Sequence, residues 1–188
     1  IAMILSNLMN FEIQVILVSA GAIASGIQKM DLKKRDLSLT EKQALAAIGQ
    51  VELIKTYQNI FAEYNHVVAQ VLLTRNIIDN EKGKTNAKNT FKRLLLMGII
   101  PVINENDTLS TEDIEQENNY ELTSSVATIV NADLLVVLNE DLSFNLYRGN
   151  PKNGLHISGK TELFSFVKNF IAGTEKHNYY PKTYKELM

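Results

Sequence analysis

The sequence predicts an α/β fold: an open, mostly parallel sheet with helices on both faces. Short apolar runs alternate with longer stretches of helical periodicity in the order β-α-β-α-β-α-β. The runs Val15-Ile16-Leu17-Val18 and Ile99-Ile100-Pro101-Val102-Ile103 are apolar throughout, as in strands covered on both faces. The 188 residues are 45% hydrophobic and 21% charged, which excludes wholesale disorder and suffices for a core without staples. A single domain over 1–188 is expected.

Residues 1–10 read as the end of a helix, with Ile1, Ile4, Leu5 and Leu8 on one face. The strand at Val15 to Val18 runs directly into Ser19-Ala20-Gly21-Ala22-Ile23-Ala24-Ser25-Gly26. Small residues there permit a tight strand-to-helix turn and close approach of a ligand to backbone N–H groups. Residues 27–39 are polar, a surface connection. Thr40-Glu41-Lys42-Gln43 matches a capping box, and the apolar face that follows predicts a helix over 41–64. Gly49 inside it costs about 1 kcal/mol against Ala, which suggests close packing. His66 to Leu73 is a second strand, and Asn76 to Asn89 reads as polar and mobile.

A helix carrying Phe91, Leu94, Leu95 and Leu96 ends at Gly98, a natural C-cap. The third strand is Ile99 to Ile103, and Pro101 places that position at the strand's start or on an edge. A polar loop over 104–119 precedes a helix over 121–131 and a fourth strand over 134–138. Thr161 to Ile171 forms a last short helix, and the tail from Asn178 to Met188 is poorly packed. Ligands in such sheets bind beyond the carboxyl ends of the strands. That rule points to 19–22, 74–76, 104–107 and 139–140.

A formal charge of −2 does not steer the chain toward nucleic acid or an anionic membrane. The absence of cysteine removes disulfides, thiolate metal sites and a cysteine nucleophile, and favours a reducing compartment. The longest apolar runs are too short to span a bilayer. No basic segment precedes Ala2-Met3-Ile4-Leu5, so no signal peptide is read, and the start at Ile1 suggests that the natural N-terminus lies upstream. His66, His156 and His177 lack the spacing of a metal site or a catalytic triad, and no metal ligands are assigned.

Among the candidate sites, the turn at 19–26 suits a carboxylate or phosphate at a helix N-terminus, though packing of small residues accounts for it equally well. Asn104-Glu105-Asn106-Asp107 places amides and carboxylates directly after a buried strand, a poor choice for packing alone. Asn118-Asn119-Tyr120-Glu121 reads as a helix start. Gly154 to Thr161 satisfies the spacing G-x-x-x-x-G-K-T, but no buried strand precedes it. Lys160 is therefore read as a chance match, with a P-loop nucleotide module the minor alternative.

Five segments resemble the glutamate 5-kinases of the amino acid kinase family in order and spacing over roughly 1–151. They are VILVSAGAIASG at 15–26, KQALAAIGQ at 42–50, QVLLTR at 70–75, NAKNT at 86–90 and, most specific, IPVINENDT at 100–108. The resemblance implies a three-layer α/β/α sandwich around a mainly parallel sheet. It implies ATP-dependent phosphorylation of the γ-carboxylate of L-glutamate, with Mg²⁺, in a cytoplasmic homo-oligomer, a dimer or tetramer. Glutamate binding maps to Ala20, Gly21, Asp107 and Asn119, and nucleotide binding to Asn139 and Glu140.

The chain also departs from the family pattern. Ala20 stands where the family has a serine, so only backbone donors remain there. Glu117-Asn118-Asn119-Tyr120 replaces G-D-N-D, Asn139-Glu140 replaces T-D, and Asn145 replaces a glycine. The family's first strand, with its K-x-G-[ST] lysine, would precede Ile1, and its G-T-G-G-M-x-T-K loop is not found after residue 151. The catalytic lysines are thus unassigned in this chain. The alternative function is a non-catalytic amino-acid-binding or assembly subunit of the same family.

Overall fold

Three strands run parallel in the first part of the chain: β1 (Leu17–Val18), β2 (Val68–Leu73) and β3 (Ile100–Glu105), in the order β1-β3-β2. The computed structural model describes residues 1–33, 35–74, 77, 79–109, 119–139, 141–147, 154–157, 163, 165–167 and 169. They fall into two units, Ile1–Val130 and Asn131–Met188.

In the first unit, α1 (Ala2–Asn10) and α3 (Leu39–Ala62) cover one face of the sheet. Leu5, Leu8, Ile54, Tyr57 and Phe61 pack there against Val15, Leu17, Val68, Ile100 and Val102. Helices α4 (Glu81–Leu96) and α5 (Asn119–Val130) cover the other face. Ala87, Phe91, Leu122 and Val126 pack there against Ile16, Val18, Val71, Leu73 and Ile103. The two-residue alternation of side chains explains why β1 and β3 lie in unbroken apolar runs: helices pack on both faces. The first unit is thus the expected α/β/α arrangement, a parallel sheet between two helical layers.

Helix α2 (Ala22–Lys29) lies against α3 with almost no side chain between them. A Cβ built on Gly49 would sit 1.7 Å from the Ala22 carbonyl oxygen, and one on Gly26 would sit 2.1 Å from the Leu45 carbonyl oxygen. The close packing expected at Gly49 is therefore backbone against backbone.

Four local expectations are corrected. Helix α3 starts two residues early, with Ser38 rather than Thr40 as its cap: the Ser38 hydroxyl accepts from the Glu41 N–H, and the Ser38 N–H donates to the Glu41 carboxylate. Arg35 pairs with the same carboxylate; this contact, followed by those from Ser38, pulls the Glu41 pKa down from 4.5 to about 2. Second, α4 begins inside the stretch read as mobile, because the Asn80 side chain accepts from the N–H groups of Lys82 and Gly83. It ends as expected at Gly98 (φ 69°), where the Gly98 and Ile99 N–H groups return to the Leu95 and Leu94 carbonyls in a Schellman pattern.

Third, Pro101 lies in the central strand, not at its first residue or on an edge. The Ile100 N–H donates to Val67 on the β2 side, whereas the Ile103 carbonyl accepts from Ser19 on the β1 side. Alternation turns the nitrogen of Pro101 toward β1, ahead of the first registered pair Leu17↔Val102, so no ladder bond is lost. Fourth, the strand read as the next parallel member, β4 (Leu135–Leu138), instead pairs antiparallel with β5 (Phe144–Tyr147), which pairs antiparallel with β6 (Gly154–Ile157). These three strands form the sheet of the second unit. Its buried residues include Phe144, Leu146, Leu163 and Val167. Residues 163, 165–167 and 169 are helical, within the helix expected over 161–171. The tail over 178–188 lies outside the described residues.

Candidate functional site

All three strands of the first sheet end at the same edge, where two segments meet. The register Val18↔Ile103 sets Ser19 beside Asn104, so the turn after β1 and the polar segment after β3 are neighbours by topology. The Ser19 N–H extends the ladder by donating to the Ile103 carbonyl at 2.7 Å. The Ser19 hydroxyl is buried and lies 2.9 Å from the Tyr57 hydroxyl of α3, turned inward rather than toward a ligand. Ala20 and Gly21 are exposed.

Gly21 caps α2 in the left-handed conformation, φ 95°. Nothing lies within 4 Å of where its Cβ would be, so backbone angle alone calls for glycine here. No side chain caps α2, and its first turn holds no acidic residue. Its leading N–H groups and the positive end of its dipole are thus not answered by a side-chain cap, an arrangement suited to a carboxylate.

On the other side of the edge, Asn104 is 3% exposed. Its Oδ1 accepts from the Glu105 N–H at 2.9 Å, while its Nδ2 is buried with no partner in the protein. A buried amide donor without a partner costs about 1–3 kcal/mol, so it is a donor suited to a ligand acceptor. The Asn106 N–H donates to the Leu73 carbonyl at 2.8 Å and its Oδ1 accepts from Thr108, which closes the turn holding Asp107. Asp107 is half-buried in that turn.

Of the residues read from the sequence, Ala20, Gly21 and Asp107 therefore stand at one sheet edge. Asn119 is the first residue of α5, which packs through Leu122 and Val126 on the sheet face shared with α4. Asn139 belongs to the second unit, in the turn after β4. There its Nδ2 donates to the Ser143 hydroxyl at 2.8 Å and its Oδ1 accepts from Asn145 at 3.2 Å. Both ends of its amide are engaged in the hairpin. Glu140 and Lys160 lie outside the described residues. The Gly154 that would open a P-loop instead opens strand β6, paired with Tyr147.

Two residues were missed from the sequence. Gln50 of α3 is buried, and its Nε2 donates to the Glu105 carbonyl at 3.1 Å. Gln70 of β2 donates to the Gln50 Oε1 at 2.9 Å. The available signal was a glutamine following the tightly packed Gly49, on a stretch whose buried positions are otherwise apolar or small.

Among the described residues, no group of three or more His, Asp or Glu is placed to hold a metal ion, and no helix is long and apolar enough to cross a membrane. The sequence profile described as the amino acid kinase family matches residues 1–153. The chain is 44% identical over 153 residues to a glutamate 5-kinase of Clostridium perfringens, covering 79% of this chain and 56% of that protein. It is 44% identical over 172 residues to one of Clostridium acetobutylicum, covering 90% and 64%. A third, from Enterococcus faecalis, is 44% identical over 171 residues, covering 89% and 61%. The chain thus spans less than two thirds of the length of the curated relatives it matches. With the profile matching residues 1–153 of the 188, the chain belongs to the amino acid kinase family.

Proposed function

We propose that this chain carries the amino-acid site of a glutamate 5-kinase, which phosphorylates the γ-carboxylate of L-glutamate with ATP to give L-glutamyl 5-phosphate. The observation that carries this is IPVINENDT, a segment that resembles the glutamate 5-kinase motif and lies on the central strand and the turn beyond it, in a chain 44% identical over 153 residues to a protein named glutamate 5-kinase. In this reading Asp107 accepts charge-assisted hydrogen bonds from the substrate ammonium. Backbone N–H groups near Ala20 and Gly21 and the N-terminus of α2 receive a carboxylate, and Asn104 Nδ2 and Asn119 supply further polar contacts. Asn139 and Glu140 are assigned to the nucleotide by family resemblance.

Phosphoryl transfer depends on positioning and on cations that offset charge spread over the transferred group. Mg²⁺ would arrive with the nucleotide, held largely by phosphate oxygens and water, a mode that needs no dedicated protein cage. We carry the same reading to a cytoplasmic homo-oligomer.

Calorimetry with L-glutamate tests the site. Asp107→Ala is expected to weaken binding by about 1.5–3 kcal/mol, roughly tenfold to a hundredfold. Equal affinity in Asp107→Ala and in a binding-competent unmutated chain would remove Asp107 from the site. Failure of the unmutated chain to bind glutamate would overturn the amino-acid assignment itself.

A further inference from the structure

We propose that Gln50 is a positioning residue for the segment Asn104–Asp107, an assignment that rests on that segment being part of the amino-acid site. Ser19 donates to Ile103, so alternate residues of β3 address β1. Glu105, two residues on, therefore turns its carbonyl toward β1 as well. The chain has already left the sheet there: Gly21 bends it into α2, and no strand residue can donate. Gln50 Nε2 takes the place of that missing donor, at 3.1 Å from the Glu105 oxygen. A side chain on a helix thus completes the ladder at the point where the substrate turn interrupted it.

The same stretch of α3 fixes both halves of the site. Gly49 seats the helix against the Ala22 carbonyl at the start of α2. Gln50 holds Glu105 on the other half, and Tyr57 meets Ser19. Gln50 is 5% exposed, and Gln70 fixes its amide by donating to Oε1, so that Nε2 is the end facing Glu105. Gln50 touches no substrate in this arrangement; it acts through the Glu105 carbonyl on the residues either side of it, Asn104 and Asn106, and on Asp107 beyond.

Three variants of the 188-residue chain test this. Gln50→Met keeps the volume and removes the donor, and is expected to weaken L-glutamate binding about fivefold to tenfold. Gln50→Glu can donate to the Glu105 carbonyl only when its carboxyl is protonated. Its affinity relative to the unmutated chain is expected to recover as pH falls from 8 to 5, since burial raises a carboxyl pKa. Gln50→Met, which keeps the packing volume, separates the donor role from a role in packing alone. Gln70→Ala, at an exposed position, frees the Gln50 amide and is expected to weaken binding in the same direction by about twofold to threefold.

Amide hydrogen exchange without ligand gives a readout independent of glutamate. The Asn106 N–H should exchange faster in Gln50→Met, while the Ile100 N–H at the far end of β3 stays unchanged. Unchanged affinity in Gln50→Met, or no pH-dependent recovery in Gln50→Glu, would overturn the positioning role. If the unmutated chain binds no glutamate, the amino-acid site falls, and unchanged Asn106 exchange would then overturn the structural role of Gln50 as well.

Discussion

Replacing Gly49 with alanine should destabilise the chain although alanine is the better helix former. The added Cβ would lie 1.7 Å from the Ala22 oxygen and 2.6 Å from the Gly26 nitrogen, where ordinary contact begins at 3.4 Å. The obstacle is backbone, so no rotamer change relieves it. The helices must separate by roughly 1.5 Å, giving up dispersion contacts along the crossing. Overpacking of this kind costs about 1–3 kcal/mol and occasionally more, and a backbone clash belongs to the upper end. Alanine offsets about 1 kcal/mol through helix propensity. A net loss of about 2 kcal/mol should lower the urea midpoint by about 1 M at a slope near 2 kcal/mol/M. Gly26→Ala, at 2.1 Å from the Leu45 oxygen, should behave alike. The double variant should lose less than the two single losses together, because one separation relieves both clashes. Circular dichroism through a urea titration reads all three. A Gly49→Ala midpoint equal to or above that of the unmutated chain would refute the reasoning, and strict additivity would show that the two clashes are relieved independently.

Three further outcomes are expected. The Glu41 carboxyl should titrate with a midpoint near 2 by NMR. Its folded pKa is depressed, so its contribution is whole above about 4.5 and disappears as pH falls toward 2; Arg35→Ala should move the midpoint up toward 4.5, and an unmoved midpoint would refute the Arg35 contact as the main cause. Ala20→Ser, which adds beside Gly21 the hydroxyl that the family resemblance implies, should tighten glutamate binding about threefold to tenfold by calorimetry; no change would mean that backbone donors alone set recognition there. Lys160→Ala should leave ATP binding unaltered, since Gly154 begins a paired strand rather than a phosphate loop; selective loss of nucleotide binding would overturn that reading.

The layers of the first unit were legible because β1 and β3 are packed by helices on both faces, and packing on both faces calls for a continuous apolar run such as Val15 to Val18. Caps were harder. Thr40 and Ser38 each stand three residues before an acceptable partner, Gln43 and Glu41, and only the reciprocal hydrogen bonds between Ser38 and Glu41 show which pair closes. Helix α4 was missed at its start because Glu81 to Asn89 is polar; Asn80 caps it and Phe91 anchors it farther along. Direction of pairing was not legible at β4. A strand followed by a five-residue turn can return antiparallel, and the hydrogen bonds joining Asn139, Asp141 and Ser143 close that turn here.

The candidate site was legible where polar residues follow an apolar strand, as at Asn104 to Asp107, and illegible where a polar side chain reaches in from another element. Gln50 and Gln70 lie 20 positions apart, and Gln50 lies 55 positions from the Glu105 carbonyl it serves. No local pattern joins them. What demands Gln50 is topological: β1 ends at Val18 so that Gly21 can turn into α2, and that early exit strips a donor from the central strand one ladder step later. A parallel sheet that bends one strand away to form a ligand turn leaves the adjacent strand with an unpaired carbonyl beside the ligand. The helix covering that face must answer it, which explains why the glutamine occurs one residue after the glycine that brings α3 close enough.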